Sequence, residues 1–145
     1  MSYYESLQHQ LHYTFHDTRL LEEAFIADGA VKSRNDLDTP PSGNKRLALI
    51  GDAVLRLSVL EEWFPGGGNT ETGHNMIQEV GTNEKLKAVA EKWQLTKWLK
   101  ENPCQAGKEA KTTLASTVEA IIGAVWFDCN RNLAEVQRLI KRLQA

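Results

Sequence analysis

Residues 44–55 read Asn44-Lys45-Arg46-Leu47-Ala48-Leu49-Ile50-Gly51-Asp52-Ala53-Val54-Leu55, and residues 113–124 read Thr113-Leu114-Ala115-Ser116-Thr117-Val118-Glu119-Ala120-Ile121-Ile122-Gly123-Ala124. Both stretches are apolar with helical spacing, and each carries a single carboxylate, Asp52 or Glu119. Each also carries a glycine, Gly51 or Gly123, although glycine inside a helix costs about 1 kcal/mol relative to alanine. That cost is tolerated where another backbone must approach closely. Ala48, Gly51 and Ala53 supply small residues on one helix, and Ala120, Gly123 and Ala124 on the other. The two helices are therefore predicted to cross at these positions and to bring Asp52 and Glu119 together.

Nearly every periodic segment of the chain has helical spacing. Leu7 and Leu11, followed by Phe15, suggest a short helix running into a turn, and Asp17 is a plausible cap for a second helix burying Leu20, Leu21, Ala24 and Phe25. From Asp28 to Gly43 the pattern stops, and Thr39-Pro40-Pro41-Ser42-Gly43 cannot hold a helix, so 28–43 is expected to be a mobile surface loop. The first long helix is expected over 44–63 and ends at Phe64-Pro65-Gly66-Gly67-Gly68-Asn69, a flexible connector. Further helices are expected over 74–80, over 84–93 with Asn83 as cap and Leu86, Val89, Ala90 and Trp93 as the buried stripe, and over 95–99. The second long helix is expected over 112–129 and a terminal amphipathic helix over 132–143. No segment alternates as a strand does. The expected architecture is an all-α bundle in one domain, 1–145, built around two buried helices.

The chain has 145 residues, enough to bury a core without a structural metal or disulfide. Lys and Arg number 17 and Asp and Glu 19, a net charge of −2, which weakens the case for strong nonspecific nucleic-acid binding without excluding a local basic patch. Cys104 and Cys129 are the only cysteines, lie in unrelated segments, and are expected to be reduced thiols. No apolar run approaches membrane-spanning length, and Met1-Ser2-Tyr3-Tyr4-Glu5 is neither a secretory signal nor an Arg-rich presequence. An intracellular location, cytoplasmic or nuclear, is the expectation.

The two stretches resemble the signature helices of the ribonuclease III family. The likeness extends to Leu11-His12-Tyr13-Thr14-Phe15-His16-Asp17-Thr18-Arg19-Leu20-Leu21-Glu22-Glu23-Ala24-Phe25, which looks like the family's Tyr-x-Phe turn and following Leu-Leu-x-x-Ala helix. It extends also to Val80-Gly81-Thr82-Asn83-Glu84-Lys85-Leu86 with Ala90, similar to the family's middle segment. Together these cover most of the chain in order. The resemblance implies a ribonuclease III domain-like helical bundle, an intertwined or side-by-side homodimer, and cleavage of double-stranded RNA with Mg²⁺ held by clustered carboxylates. Bacterial members add a double-stranded-RNA-binding domain. None is expected within this chain, so RNA affinity is expected from the helical domain or from a partner.

The chain departs from the family at the chemistry. The family pairs a Glu and an Asp four apart on the first helix, and an Asp and a Glu three apart on the second. Asp52 and Glu119 stand at two of these positions, and Ala48 and Ser116 at the other two. Mg²⁺ prefers carboxylate oxygens in near-octahedral geometry, and in phosphodiester hydrolysis it activates water and stabilises the in-line transition state. Ala48 offers no ligand and the Ser116 hydroxyl a poor neutral one, so any Mg²⁺ binding at Asp52 and Glu119 is expected to be weak or vestigial. Lys45 shares a helix face with Ala48 and Asp52 at spacing i, i+3, i+7, where the family commonly has Glu. Its ammonium is a candidate substitute for the missing cation, pairing with Asp52 or Glu119; the plainer alternative is a solvated lysine in a first helical turn.

Other candidates are weaker. His12 and His16 form a zinc spacing only if one helix spans them, which the Tyr13-Thr14-Phe15 turn opposes, and His74 is isolated in a loop-like region. Gly66-Gly67-Gly68 lacks the following Lys-Ser/Thr of a phosphate loop. Arg138, Lys141 and Arg142 make a basic stripe near the end of the chain and are candidate RNA contacts, although such a stripe is often just a solvated helix face. The expected function is a catalytically inactive, dimeric module that binds double-stranded RNA or a ribonucleoprotein. The alternative is a divergent metal-dependent double-stranded-RNA endoribonuclease taking ligands from Glu79, Glu84 or Glu109. A dimerisation partner for an active homologue is a third reading.

Overall fold

The structure is a computed structural model and describes residues 3–27, 43–100 and 111–145. The segments 28–42, where a loop is expected, and 101–110, which includes Cys104 and Glu109, lie outside the described residues.

The described residues form seven α-helices: α1 (Glu5–Leu11), α2 (Thr18–Ala24), α3 (Lys45–Trp63), α4 (Thr70–Gly81), α5 (Asn83–Lys92), α6 (Lys111–Asp128) and α7 (Leu133–Gln144). The all-α expectation holds for them, with a lone parallel bridge between Ile26 and Lys100 as the exception to helix and turn. Helix α6 is the axle. Every residue from Leu114 to Val125 except Glu119 is buried, and α2, α3, α5 and α7 pack around it. Helix α3 buries one face only, through Leu47, Ala48, Gly51, Val54, Leu55 and Ser58, which recur at helical spacing.

The predicted crossing of α3 and α6 is present and unusually close. A Cβ added at Gly51 would lie 1.7 Å from the carbonyl oxygen of Glu119, and one at Gly123 would lie 2.2 Å from that of Leu47. Glycine at both positions is what lets the two backbones touch, which accounts for its presence despite its helix cost.

The N-terminal turn is fixed by a carboxylate at the far end of α6. Asp128 accepts hydrogen bonds from the Tyr13 hydroxyl (2.6 Å), the His16 amide (2.9 Å) and the Asp17 amide (2.7 Å). Burial and this carboxylate push the Tyr13 phenol well above its ordinary range. Asp17 caps α2 as expected, accepting from the Arg19 amide. Glu23 on α2 is buried and takes a two-pronged ion pair from Arg46 on α3, at 2.6 and 2.7 Å.

Several boundaries differ from expectation. Helix α4 begins at Thr70, not near 74, because the Asn69 side chain caps it by accepting from the Thr72 amide. His74 is consequently helical and not in a loop. The Gly68 and Gly73 backbones lie against the Trp63 ring, whose indole N–H donates to the Asn69 carbonyl at 3.1 Å, so the α3–α4 connector is a packed corner. Helix α5 is capped by Thr82 in place of Asn83, and Leu95–Lys97 makes a single 3₁₀ turn, not a longer helix. Gly43, expected to end a loose loop, is buried at φ +59°, where a Cβ would meet the Ile26 and Ala27 carbonyls at 2.6 Å.

Candidate functional site

The crossing sets Asp52 and Glu119 side by side, as the glycine pattern predicts. Asn44 anchors the start of α3. Its buried side-chain amide donates to the Ala24 carbonyl at 2.9 Å and to the Thr117 hydroxyl at 3.3 Å, tying α3 to α2 and α6. From that anchor, Lys45, Ala48 and Asp52 run along one edge of α3 toward Ser116 and Glu119 on α6.

Glu119 shares a hydrogen bond with Asp52, and its carboxyl is pushed up from 4.5 to about 7. The causes, largest first, are burial, that hydrogen bond and the Asp52 charge, opposed by the positive charges of Lys45 and Arg56. Asp52 is the more solvated partner and forms an i, i+4 ion pair with Arg56 at 3.5 Å. The Lys45 ammonium donates to the Ser116 hydroxyl at 3.0 Å. Of the two readings of Lys45, neither a direct carboxylate pair nor a freely solvated side chain is found: its ammonium is hydrogen-bonded to serine. Among the described residues no Lys45 ion pair to Asp52 or Glu119 is formed, and Lys45 acts on Glu119 through its field. Ala48 and Ser116 are both buried, and Ala48 belongs to the apolar core.

The donor set does not fit a resident Mg²⁺. A hard divalent cation needs several anionic oxygens converging on one point. Here two carboxylates are brought together, and the other two positions that the family uses carry a methyl group and a hydroxyl that already accepts from the Lys45 ammonium. Among the described residues no three of His, Cys, Asp and Glu cluster as a metal site would require. Glu79, a candidate substitute ligand from the sequence, lines a separate cleft with Glu62 and Lys141.

Of the remaining candidates, His12 ends α1 at φ 56° and does not share a helix with His16. Arg138 pairs with Glu135, and Lys141 with Glu62 at 3.6 Å. Arg142 donates to the Gln10 carbonyl at 3.0 Å and lies over the Trp93 ring. All three basic side chains are exposed; Arg138 and Lys141 each have a carboxylate partner, which lowers the stripe's net positive charge, whereas Arg142 keeps its charge uncompensated by these contacts. Arg56 is absent from the candidates that the sequence suggests, although its i, i+4 spacing from Asp52 is a readable pairing signal.

Two long helices cross at glycines, and one carboxylate from each meets the other beside the crossing, as the resemblance to the ribonuclease III family implies. Comparison with known proteins agrees. Residues 21–143 match the family described as ribonuclease-III-like. The chain is 32% identical over 130 residues to ribonuclease 3 of Oleidesulfovibrio alaskensis, covering 86% of this chain and 56% of that protein. It is 30% identical over 135 residues to ribonuclease 3 of Fusobacterium nucleatum, covering 90% and 57%. The chain therefore spans a little over half the length of these relatives. In fold it is similar to the nuclease domain of ribonuclease III from Campylobacter jejuni, with a TM-score of 0.82, 24% identity and coverage of 97% of this chain and 95% of that one. The chain belongs to the ribonuclease-III-like family. Among the described residues no helix is long and apolar enough to cross a membrane.

Proposed function

We propose that this domain is a catalytically inactive member of its family, acting as a dimeric module that binds double-stranded RNA or a ribonucleoprotein without cutting it. The observation that carries this reading is the pair Ala48 and Ser116, which leaves Asp52 and Glu119 as half of the carboxylate set that the family's Mg²⁺ chemistry uses. A single lost transition-state interaction worth about 4 kcal/mol slows a reaction roughly a thousandfold, and two such losses fall on one site. The retained fold supports a binding role, because the surface that would face RNA outlasts the chemistry.

Dimer formation is supported by the outer face of α3. Leu49 is 75% exposed, Leu57 48% and Phe64, just past the helix end, 77%, an apolar stripe on the side away from the core. The similar nuclease domain from Campylobacter jejuni has a structurally flexible region that is involved in dimer formation. For this chain a second copy across α3 is the arrangement that would cover the stripe.

The test is incubation of the full chain with a labelled RNA duplex, with and without Mg²⁺ or Mn²⁺, following both band shift and cleavage. A shift without cleavage is the expected result. Metal-dependent cleavage that disappears in Glu119→Ala would overturn the reading and favour a divergent endoribonuclease. Neither shift nor cleavage would redirect it to a protein partner.

A further inference from the structure

The family's chemistry calls for a cation at this crossing and the donor set does not fit a divalent one, yet lost ligands are only part of the reason. Lys45 lies in the first turn of α3, on the edge that carries Ala48 and Asp52, and its ammonium reaches across to α6. The 3.0 Å hydrogen bond to Ser116 Oγ holds it beside a position from which a carboxylate has been lost. From there its charge acts on Glu119, as does that of Arg56, which itself pairs with Asp52. With both carboxylates ionised, two cationic and two anionic side chains balance, and the site has no net charge with which to attract a divalent ion. The side chain of Ser116 is buried and already occupied by this hydrogen bond, so a metal could recruit it only by displacing Lys45.

We propose that the Lys45 ammonium is the resident cation of this site: anchored on Ser116 and facing the Asp52–Glu119 pair, it supplies the charge that a divalent ion would otherwise supply and keeps such ions out. The inference rests on reading the crossing as a degenerate metal site. It adds that the degeneration is a substitution of one cation for another, not a bare loss. An ammonium is a compact, strongly hydrated point charge with three donors, suited to bridging a hydroxyl and nearby carboxylates. It brings no water to be activated, so it can preserve the electrostatics of the crossing while supplying none of the hydrolytic chemistry. Restoring Ala48→Glu and Ser116→Asp alone should therefore leave divalent-ion binding poor, because the ammonium still stands in the way. Adding Lys45→Glu to those two changes should create it.

The direct test is chemical rescue. Thermal melts of the full chain, wild type and Lys45→Ala, are compared with and without about 5 mM Mn²⁺ as the probe, since an ion that binds only the folded state raises its melting temperature. Wild type should not respond. Lys45→Ala should melt lower and recover by about 3 °C with Mn²⁺, and the double variant Lys45→Ala/Glu119→Ala should not recover. Equal Mn²⁺ shifts in wild type and Lys45→Ala would overturn the proposal, as would a Lys45→Ala protein that melts like wild type and ignores Mn²⁺. Calorimetric titration of Mn²⁺ into the restored double and triple variants gives a second readout. At least ten-fold tighter binding by the triple variant is expected, and equal binding by the two overturns the proposal. These measurements use no RNA, so they fail independently of the band-shift and cleavage assays that test the proposed function.

Discussion

Helices α3 and α6 both read as apolar, and the structure uses them differently. Helix α6 is enclosed from Leu114 to Val125, with Glu119 the one residue in that span that is not buried. Helix α3 gives one face to the core and leaves Leu49 and Leu57 in solvent, with Phe64 exposed at its end. An excess of apolar residues on a helix can thus mean either complete enclosure by its own chain or a second face meant for another surface. What separates the two cases is the glycine pattern. Gly51 and Gly123 mark where α3 and α6 touch, and the apolar residues of α3 that point away from that line have no cover within the described residues.

The contrast can be broken most forcefully at the crossing. Gly51→Ala places a methyl group where the Glu119 carbonyl oxygen lies 1.7 Å from the ideal Cβ, a clash with backbone that no side-chain rotation relieves. A cost of about 3 kcal/mol or more is expected, read as a lower urea midpoint or loss of a cooperative transition. Ala53→Ser, on the exposed side of the same helix, should change the stability by less than about 0.5 kcal/mol. Equal tolerance at both positions would mean the helices do not meet as described.

The outer face is probed by Leu49→Glu together with Leu57→Glu. If a second copy covers this stripe, light scattering should show the mass falling from dimer to monomer. Because both side chains are exposed within the single chain, the fold itself should change by no more than about 0.5 kcal/mol per substitution. An unchanged mass would assign the stripe to some other contact.

These expectations also show what is legible in the sequence. The crossing, the proximity of Asp52 to Glu119 and the existence of most helices follow from local signals: apolar period, glycines inside helices and the Asp17 cap. The start of α4 does not, because Asn69, which reads as part of a glycine-rich connector, is a cap whose position depends on Trp63, six residues earlier. The Asp128 anchor joins residues 115 apart in the chain at Tyr13, and no local pattern announces it. At the site, the residue types are readable, but the partner of Lys45 is not. Spacing places its ammonium near the carboxylates, whereas the choice of the Ser116 hydroxyl depends on how deeply α6 sits against α3.

A smaller effect is expected where α2 meets the inner edge of α3. Arg46→Ala strands the Glu23 carboxylate, whose side chain is 8% exposed, whereas Glu23→Ala leaves an arginine that is 63% exposed and free to hydrate. The first should cost about 2 kcal/mol and the second about half that, measured by urea denaturation at neutral pH. The asymmetry matters more than either value. Equal costs would mean that the pair acts as a surface ion pair and not as an anchor for α3.

The finest test falls on Glu119, the one residue between Leu114 and Val125 of α6 that is not buried. Glu119 has its carboxyl pushed up from 4.5 to about 7, mainly by burial and by Asp52, so the folded state favours the protonated form. The sign follows from linkage. This contribution to stability is fully present below about pH 4.5 and is lost as pH rises through about 7, since above that the fold must hold a second negative charge beside Asp52. Glu119→Gln imitates the protonated acid and keeps a donor for Asp52. It should therefore match wild type near pH 5 and melt higher near pH 8. Because Glu119 is partly exposed, solvent screening should hold the gain to about 1 kcal/mol, which is a few degrees in melting temperature. A variant whose advantage did not grow between these pH values would show that burial and Asp52 do not hold the Glu119 carboxyl above its ordinary range.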